Sequence, residues 1–346
     1  MLMVPKTMRI APVLAVLLLA LLALTEAQTV DRDSVWKCED KPTYYSTLTG
    51  KEGDELEMEL TSIVKQEYTS LSYQSAWESL NDLDGNGGNL DEVHLIYSDD
   101  FAPKQTGCLS GQCVWTREHV WPQSYGVDPE DRNTGASYTD LHNLFPVRAA
   151  VNTDRSNDIF AQITTSAGEC LSDYPDCEVP AHPTTSITTA EWDERYWQPP
   201  LGKRGDIARV LFYMQVRYDG FEPNTANLQL VEDPPRTPSN EEPSTRVFGK
   251  LSALLLWHCE DPVDDAERAR NDKICESYQH NRNPFVDDPS LVEKVFREYE
   301  GPRPPCFTTG GNITATSQGA AVGVPWFTSL ALVALSLAAD AARWAL

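Results

Sequence analysis

Apolar residues recur at helical spacing in several stretches of this 346-residue chain. From Glu55 to Gln66 the positions Leu56, Met58, Leu60, Ile63 and Val64 fall largely three or four apart, the period of a helix that turns one face to a core. Tyr73 to Leu83 reads as a second helix. Gly205-Asp206 caps a third, which runs to Tyr218 with Ile207, Val210, Leu211 and Met214 as its apolar stripe. Two more follow, around Leu251 to Trp257 and from Asp264 to Tyr278. A last one begins at Asp288-Pro289 and ends near Tyr299, where Gly301 and three prolines stop it. Between Val114 and Phe160 the pattern shifts to short apolar runs separated by polar loops, which is the pattern of strands. Pro234 to Ser244 is an exposed loop, because the apolar helices on either side need each other. The expected fold class is therefore a single mixed α/β domain, mostly helical, over residues 33–305.

Apolar runs of another kind stand at both ends. Residues 1–27 read as a secretory signal, with Lys6 and Arg9 as the basic start, Ile10 to Leu24 as the apolar stretch and Thr25-Glu26-Ala27 as the cleavage site. Residues 306–321 form a polar tail with a glycosylation acceptor at Asn312, in Asn312-Ile313-Thr314. Residues 322–346 form a hydrophobic tail, open to reading as a removed anchor signal or as a short membrane span, although Asp340 and Arg343 suit neither. The expected location is extracellular, with the membrane as a partner if that tail anchors the chain.

Export changes the reading of the cysteines. All eight, Cys38, Cys108, Cys113, Cys170, Cys177, Cys259, Cys275 and Cys306, lie beyond the signal, and an even count in an exported chain implies disulfides. The pairing is not readable, though Cys108 with Cys113 and Cys170 with Cys177 are close enough in sequence for local bridges. A zinc site is the weaker reading, because no second closely spaced Cys or His pair accompanies Cys108 and Cys113. Charge changes the picture as well. The net charge of −24, or −25 once Lys6, Arg9 and Glu26 leave with the signal, repels polyphosphates and argues against a binder driven by charge alone. It does not exclude an enzyme whose site carries arginine and a divalent cation, since a bound ion dominates its local field.

The chemistry lies in VWTREHVWPQSYG and, after a polar loop, YTDLHNLFPVRAAVNTDRSNDIF. Val114-Trp115 and Val120-Trp121 bracket Arg117-Glu118-His119 as a short strand stopped by Pro122. Adjacent strand residues point to opposite faces, so Glu118 and His119 share a site only at the strand's end. Leu141 to Leu144 is a second strand candidate. Pro146 suits a first helical position, and a helix from Pro146 to about Asp154 puts Arg148, Asn152 and Arg155 on one face. The inventory is one base, oxygen ligands for a hard cation, and guanidinium donors for a phosphate.

These residues carry a resemblance. REHVWPQS followed by DLHNLFPVRAAVNTDRSN resembles the endonuclease I family of periplasmic and extracellular nucleases, and the likeness extends to YYSTLTGKEGDELEMEL and LSYQSAWESL before it and to GDIARVLFYMQVRY and NRNPFVDDP after it, about Tyr44 to Glu300. The resemblance implies a His-Me finger, also called ββα-metal, with His119 as general base and Glu118 and Asn152 as ligands of one Mg²⁺-like ion, Mn²⁺ and Ca²⁺ being the alternatives. Arg155 is the candidate phosphate contact, and Arg117, Arg132 and Arg148 stand behind it as substrate-binding candidates. The implied reaction is hydrolysis of DNA, RNA or both with little sequence preference, leaving a 5′-phosphate. Rival readings are a catalytically silent, surface-anchored binding protein of the same fold and a phosphodiesterase of small nucleotides.

Blander readings apply to other residues. His142 sits in an apolar run and is expected in the core or behind the site, while His94, His182, His258 and His280 have no partner pattern. Asp82, Asp84, Asn86 and Gly87 imitate the start of an EF-hand loop, but Val93 stands where the bidentate Glu belongs, so a turn-rich loop is expected. Arg155 serves equally well as a bridge from its helix to a nearby carboxylate.

Overall fold

The computed structural model describes residue 38 and residues 40–307, apart from 86, 99, 109–111, 128–134, 164–167, 171–185, 190–195, 223–224 and 236–244. The secretory signal, Arg132, Cys177, His182, Asn312 and the hydrophobic tail lie outside the described residues. No described helix is long and apolar enough to cross a membrane.

Helix periodicity is followed closely where it is strongest. Helix α1 is Gly53–Lys65 and buries Leu56, Leu60, Ile63 and Val64, whereas Met58 stays exposed. Helix α2, Ala76–Leu83, begins three residues later than its pattern suggests, because Ser72 and Ser75 bond each other and hold the preceding turn. Strands β1 (Glu92–Leu95) and β2 (Asp100–Pro103) pair antiparallel. Strands β3 (Trp115–His119) and β4 (Leu144–Arg148) form a second antiparallel pair, followed directly by helix α3 (Ala149–Arg155). Strands β5 (Ile159–Phe160), β6 (Gly168–Cys170), β7 (Ile187–Thr189) and β8 (Tyr196–Gln198) make one sheet in the order β5-β8-β7-β6. Helix α4 is Arg204–Arg217, strands β9 (Asn227–Leu230) and β10 (Thr245–Phe248) pair in parallel, and helices α5 (Leu251–Glu260) and α6 (Asp265–Ile274) follow.

Several expectations are corrected. Helix makes up 42% of the described residues and strand 17%, so the fold is mixed, with helix ahead of strand but short of a majority. Gly205 does not cap α4. The helix starts at Arg204, and the Gly205 N–H donates to Asp261 Oδ2 from the end of α5, an approach so close that a Cβ would lie 1.9 Å from the Asp261 carbonyl. That helix is also buried on every side, not along a stripe, since Ala208, Phe212, Tyr213 and Val216 are covered too. The last predicted helix shrinks to Leu291–Val295, after a separate turn at Pro284–Asp287.

Pro146 is the most consequential correction, because it lies in mid-strand and not at a helix start. Bonds from the Val120 N–H to the Asn143 carbonyl and from the Ala149 N–H to the Val114 carbonyl mark the ladder's bonded pairs. By alternation, Pro146 opposite Arg117 is a non-bonded pair, where no N–H is needed on that side. Its carbonyl points outward and accepts from Ile96 N–H at 3.0 Å. The pair β3–β4 is also covered on both faces: Trp115 and Leu144 join a small core with Trp77, Leu80 and Ile274, while Val120, Trp121, Phe145 and Val147 join the main core built on α4 and α5. Burial on both sides explains why β4 reads as the continuous apolar run Leu144-Phe145-Pro146-Val147. Disulfides Cys38–Cys275, Cys108–Cys113 and Cys259–Cys306 staple this body, so the local bridge foreseen for Cys108 is present.

Candidate active site

Strand alternation sets two neighbourhoods at the end of β3. Thr116 and Glu118 share one face, and helix α3 lies over it. Asn152 Nδ2 donates to Thr116 Oγ1 at 2.7 Å, which turns Oδ1 of the amide away from that bond. Glu118, 3% exposed, accepts from Tyr97 Oη at 2.8 Å and pairs with Arg155 at 3.3 Å, and both contacts fall on Oε1. Burial raises the Glu118 carboxyl above its usual range, and Arg155 and the Tyr97 hydroxyl pull it back.

Arg117 and His119 share the opposite face. The His119 ring, 5% exposed, lies 5.9 Å from the Tyr73 ring at 26° and 4.9 Å from the Tyr138 ring. Its Nε2 is 2.8 Å from the Tyr138 carbonyl oxygen, and its Nδ1 is 3.2 Å from Gln123 Nε2. Burial pushes the imidazole down to about 4, with the Arg117 and Arg155 charges adding to it and the Tyr138 carbonyl opposing it. His119 is therefore neutral at physiological pH. A carbonyl only accepts, so Nε2 carries the proton and the lone pair resides on Nδ1.

The arginines sort differently from their sequence pattern. Arg155 is 1% exposed and turned inward, donating to the carbonyls of Val120 at 2.8 Å, Ser156 at 3.2 Å and His119 at 3.4 Å, with Phe160 beneath it. It braces the strand end with Glu118 as an ionic partner, where the bridge expected from the sequence was to Asp154 or Asp158. Arg148 leaves the predicted helical face, because α3 starts only at Ala149, and pairs with Asp100. Arg117 donates to the Tyr73 carbonyl and lies over the rings of Tyr73 at 3.4 Å and Trp77 at 4.5 Å. The structure thus brings Glu118, His119, Asn152 and Arg155 around one strand end and directs Arg117 and Arg148 to protein partners.

Other residues at the site escaped the sequence reading. Asn143 is fully buried, its Oδ1 accepting from Trp121 N–H at 2.7 Å and its Nδ2 donating to the Trp121 carbonyl, so that it extends the ladder past His119. Gln123 and Asn143 stand inside the motif, where their types were visible but their partners were not. Tyr97 and Tyr73 come from distant segments and have no local signal. In the EF-hand imitation, Asp82 lies in the last turn of α2 and Asp84 directly after it, and Asn86 lies outside the described residues; Asp82 pairs with Lys273 and accepts from Tyr278, and Asp84 pairs with Arg270.

Two oxygen donors, the Glu118 carboxylate and the Asn152 amide, fit a hard cation that keeps most of its water. Oε2 takes no hydrogen bond among the described residues, and the Thr116 contact leaves the amide oxygen as the atom to offer. No group of three or more His, Cys, Asp or Glu able to hold a metal occurs among the described residues, so the fit rests on this oxygen pair.

Comparison with known proteins identifies the family. Residues 52–290 match the family described as Endonuclease I. The chain is 36% identical over 259 residues to an extracellular ribonuclease of Bacillus subtilis, covering 74% of this chain and 79% of that one. It is 26% identical over 157 residues to an Endonuclease-1 of Buchnera aphidicola, 45% of this chain and 48% of the other. Over 149 residues it is 30% identical to an extracellular deoxyribonuclease of Aeromonas hydrophila, 43% and 49% of the two chains.

Proposed function

This chain belongs to the endonuclease I family and is a nuclease that hydrolyses phosphodiester bonds, and from that premise we propose that it is a secreted, divalent-metal-dependent endonuclease with a His-Me finger formed by β3, β4 and α3. Its relatives are named for RNA in one case and for DNA in another. The site addresses the phosphodiester, which both polymers share, so both are its substrates, with little sequence preference.

The observation that carries the reading is the 2.8 Å contact between His119 Nε2 and the Tyr138 carbonyl oxygen. With Nε2 donating to the Tyr138 carbonyl, Nδ1 is the base that takes a proton from an attacking water. Burial keeps the ring neutral and therefore competent. Glu118 and Asn152 would hold the ion, a Mg²⁺-like cation that when bound would stabilise charge developing on the phosphate and the leaving 3′ oxygen. Arg155 and Tyr97 hold the Glu118 carboxylate, and Asn143 keeps β3 and β4 together beyond the base. Because Glu118 and His119 face opposite sides, the scissile phosphate lies beyond the strand's end, where both reach it. A silent binding descendant has no need of base and both ligands, and all three are present.

The test is cleavage of supercoiled plasmid and of single-stranded RNA by the oxidised protein with Mg²⁺, with EDTA, and with His119→Ala. Activity on both polymers, lost with EDTA and reduced at least about a hundredfold in the variant, is the expected result. A folded wild-type protein inactive with Mg²⁺, Mn²⁺ and Ca²⁺ would sink the reading.

A further inference from the structure

Among the described residues, one side chain faces the lone pair of the base. Gln123 opens the short turn Gln123–Tyr125, and its Nε2 donates to His119 Nδ1 at 3.2 Å. The turn is held firmly. Trp121 Nε1 donates to the Tyr125 carbonyl at 2.8 Å, Asn157 donates to Ser124 Oγ at 3.0 Å, and Gly126 closes the turn at φ +105°, where a Cβ would strike Arg246. The side chain itself is half-buried with three rotatable bonds, and Ser124 beside it is exposed. The Gln123 carboxamide therefore covers Nδ1 from a backbone turn that is held in place.

We propose that Gln123 positions the nucleophile: its carboxamide covers Nδ1 in the free enzyme and, when substrate is bound, holds the attacking water against that nitrogen. The inference rests on His119 being the base. A direct contact becomes a water bridge when the two groups separate by about 2 Å, a shift within reach of a glutamine side chain. The water then gives one proton to His119 Nδ1 and offers the other to Gln123 Oε1. As the P–O bond forms, the P–O3′ bond breaks, its electron pair leaves on the 3′ oxygen, and that oxygen takes a proton from solvent. The second water proton stays on the oxygen now bound to phosphorus, still directed at Oε1. A glutamine suits this task because one end of its amide caps the idle base and the other accepts from the water.

The experiment compares single-turnover cleavage of a short RNA with Mg²⁺ by wild type, Gln123→Met, Gln123→Glu and His119→Ala. Methionine keeps the volume and removes the acceptor, whereas glutamate keeps an acceptor oxygen. Gln123→Met is expected to lower the cleavage rate about tenfold at unchanged substrate affinity, and Gln123→Glu to stay within about threefold of wild type. Methanol as a competing nucleophile supplies the sharper readout. It carries one proton, which goes to Nδ1, and has no second one to hold. The ratio of 5′-methyl ester to free 5′-phosphate in the products is therefore expected to rise about tenfold in Gln123→Met. An unchanged ratio, or Gln123→Met cleaving at the wild-type rate while His119→Ala is inactive, overturns the inference alone. His119→Ala cleaving like wild type overturns the underlying reading as well.

Discussion

Arg155 decides how the reacting residues are held. Its guanidinium is fully buried and bonds the carboxylate of Glu118 together with the carbonyls of His119 and Val120. Replacing it with methionine strands the Glu118 charge without its cationic partner, a change that costs about 3–5 kcal/mol. The expected outcome for Arg155→Met is a large fall in thermal stability along with the loss of activity. A phosphate contact would instead lose activity at unchanged stability, so melting curves separate the two roles. Tyr97 acts more locally, through one hydrogen bond to Glu118 Oε1. Tyr97→Phe is expected to weaken Mg²⁺ activation roughly 10- to 100-fold while leaving the rate at saturating Mg²⁺ close to wild type, as a Mg²⁺ titration of cleavage would show. At this scale the residues proposed as base, carboxylate and amide were legible because the motif holds them within 35 residues. The arginines were less legible, since burial decides whether a guanidinium meets a phosphate or a carbonyl, and burial is set in part by residues such as Phe248 that close over Arg155 from elsewhere.

Among the elements, the segment leading into β4 shows how the scaffold responds to pH. His142 is buried against the Tyr213 ring, with Nε2 3.3 Å from the Asn281 carbonyl, and burial pushes it down to about 4. The unfolded chain, with an ordinary value near 6.5, binds more protons than the folded one between these values, so stability rises with pH across that window. The contribution is fully present above about 6.5 and is lost as pH falls through about 4. At pH 5 about 2 kcal/mol of it is gone. Urea unfolding at pH 7.5 and 5.0 is expected to show a smaller difference for His142→Gln than for wild type by about that amount, and equal differences would mean that His142 does not drive the acid loss. Elements were legible where one force acted alone. Helix α1 followed its periodicity, since a single face is buried, and strand–loop–strand–helix was the correct order around the site. The start of α3 was missed because proline suits both a first helical turn and a non-bonded strand position, and only the pairing with β3 chooses between them.

For the whole molecule, the open question is how so acidic a protein engages a polyanion. Its described arginines are largely engaged within the fold: Arg204 with Glu260, Arg209 with Glu267, Arg217 with Glu222, Arg270 with Asp84 and Arg282 with Asp287. Disulfides could be read from the even cysteine count, but not that Cys38 reaches across 237 residues to Cys275, because pairing is a property of the finished fold. The same folding that closes the chain withdraws those cations from solvent. A nuclease that holds its substrate through several lysine and arginine contacts releases counterions on binding, and with 6–10 such contacts it loses roughly 10³- to 10⁵-fold in affinity between about 50 and 200 mM salt. On the proposed reading the attraction comes from an ion held by Glu118 and Asn152, while the net charge of −24 repels the polymer at long range. Added monovalent salt screens that repulsion. With Mg²⁺ held saturating, kcat/KM for RNA cleavage is therefore expected to stay within about threefold, or to rise, over that salt range. A steep decline would instead place a basic track on the surface and make charge, not the metal, the main grip on the substrate.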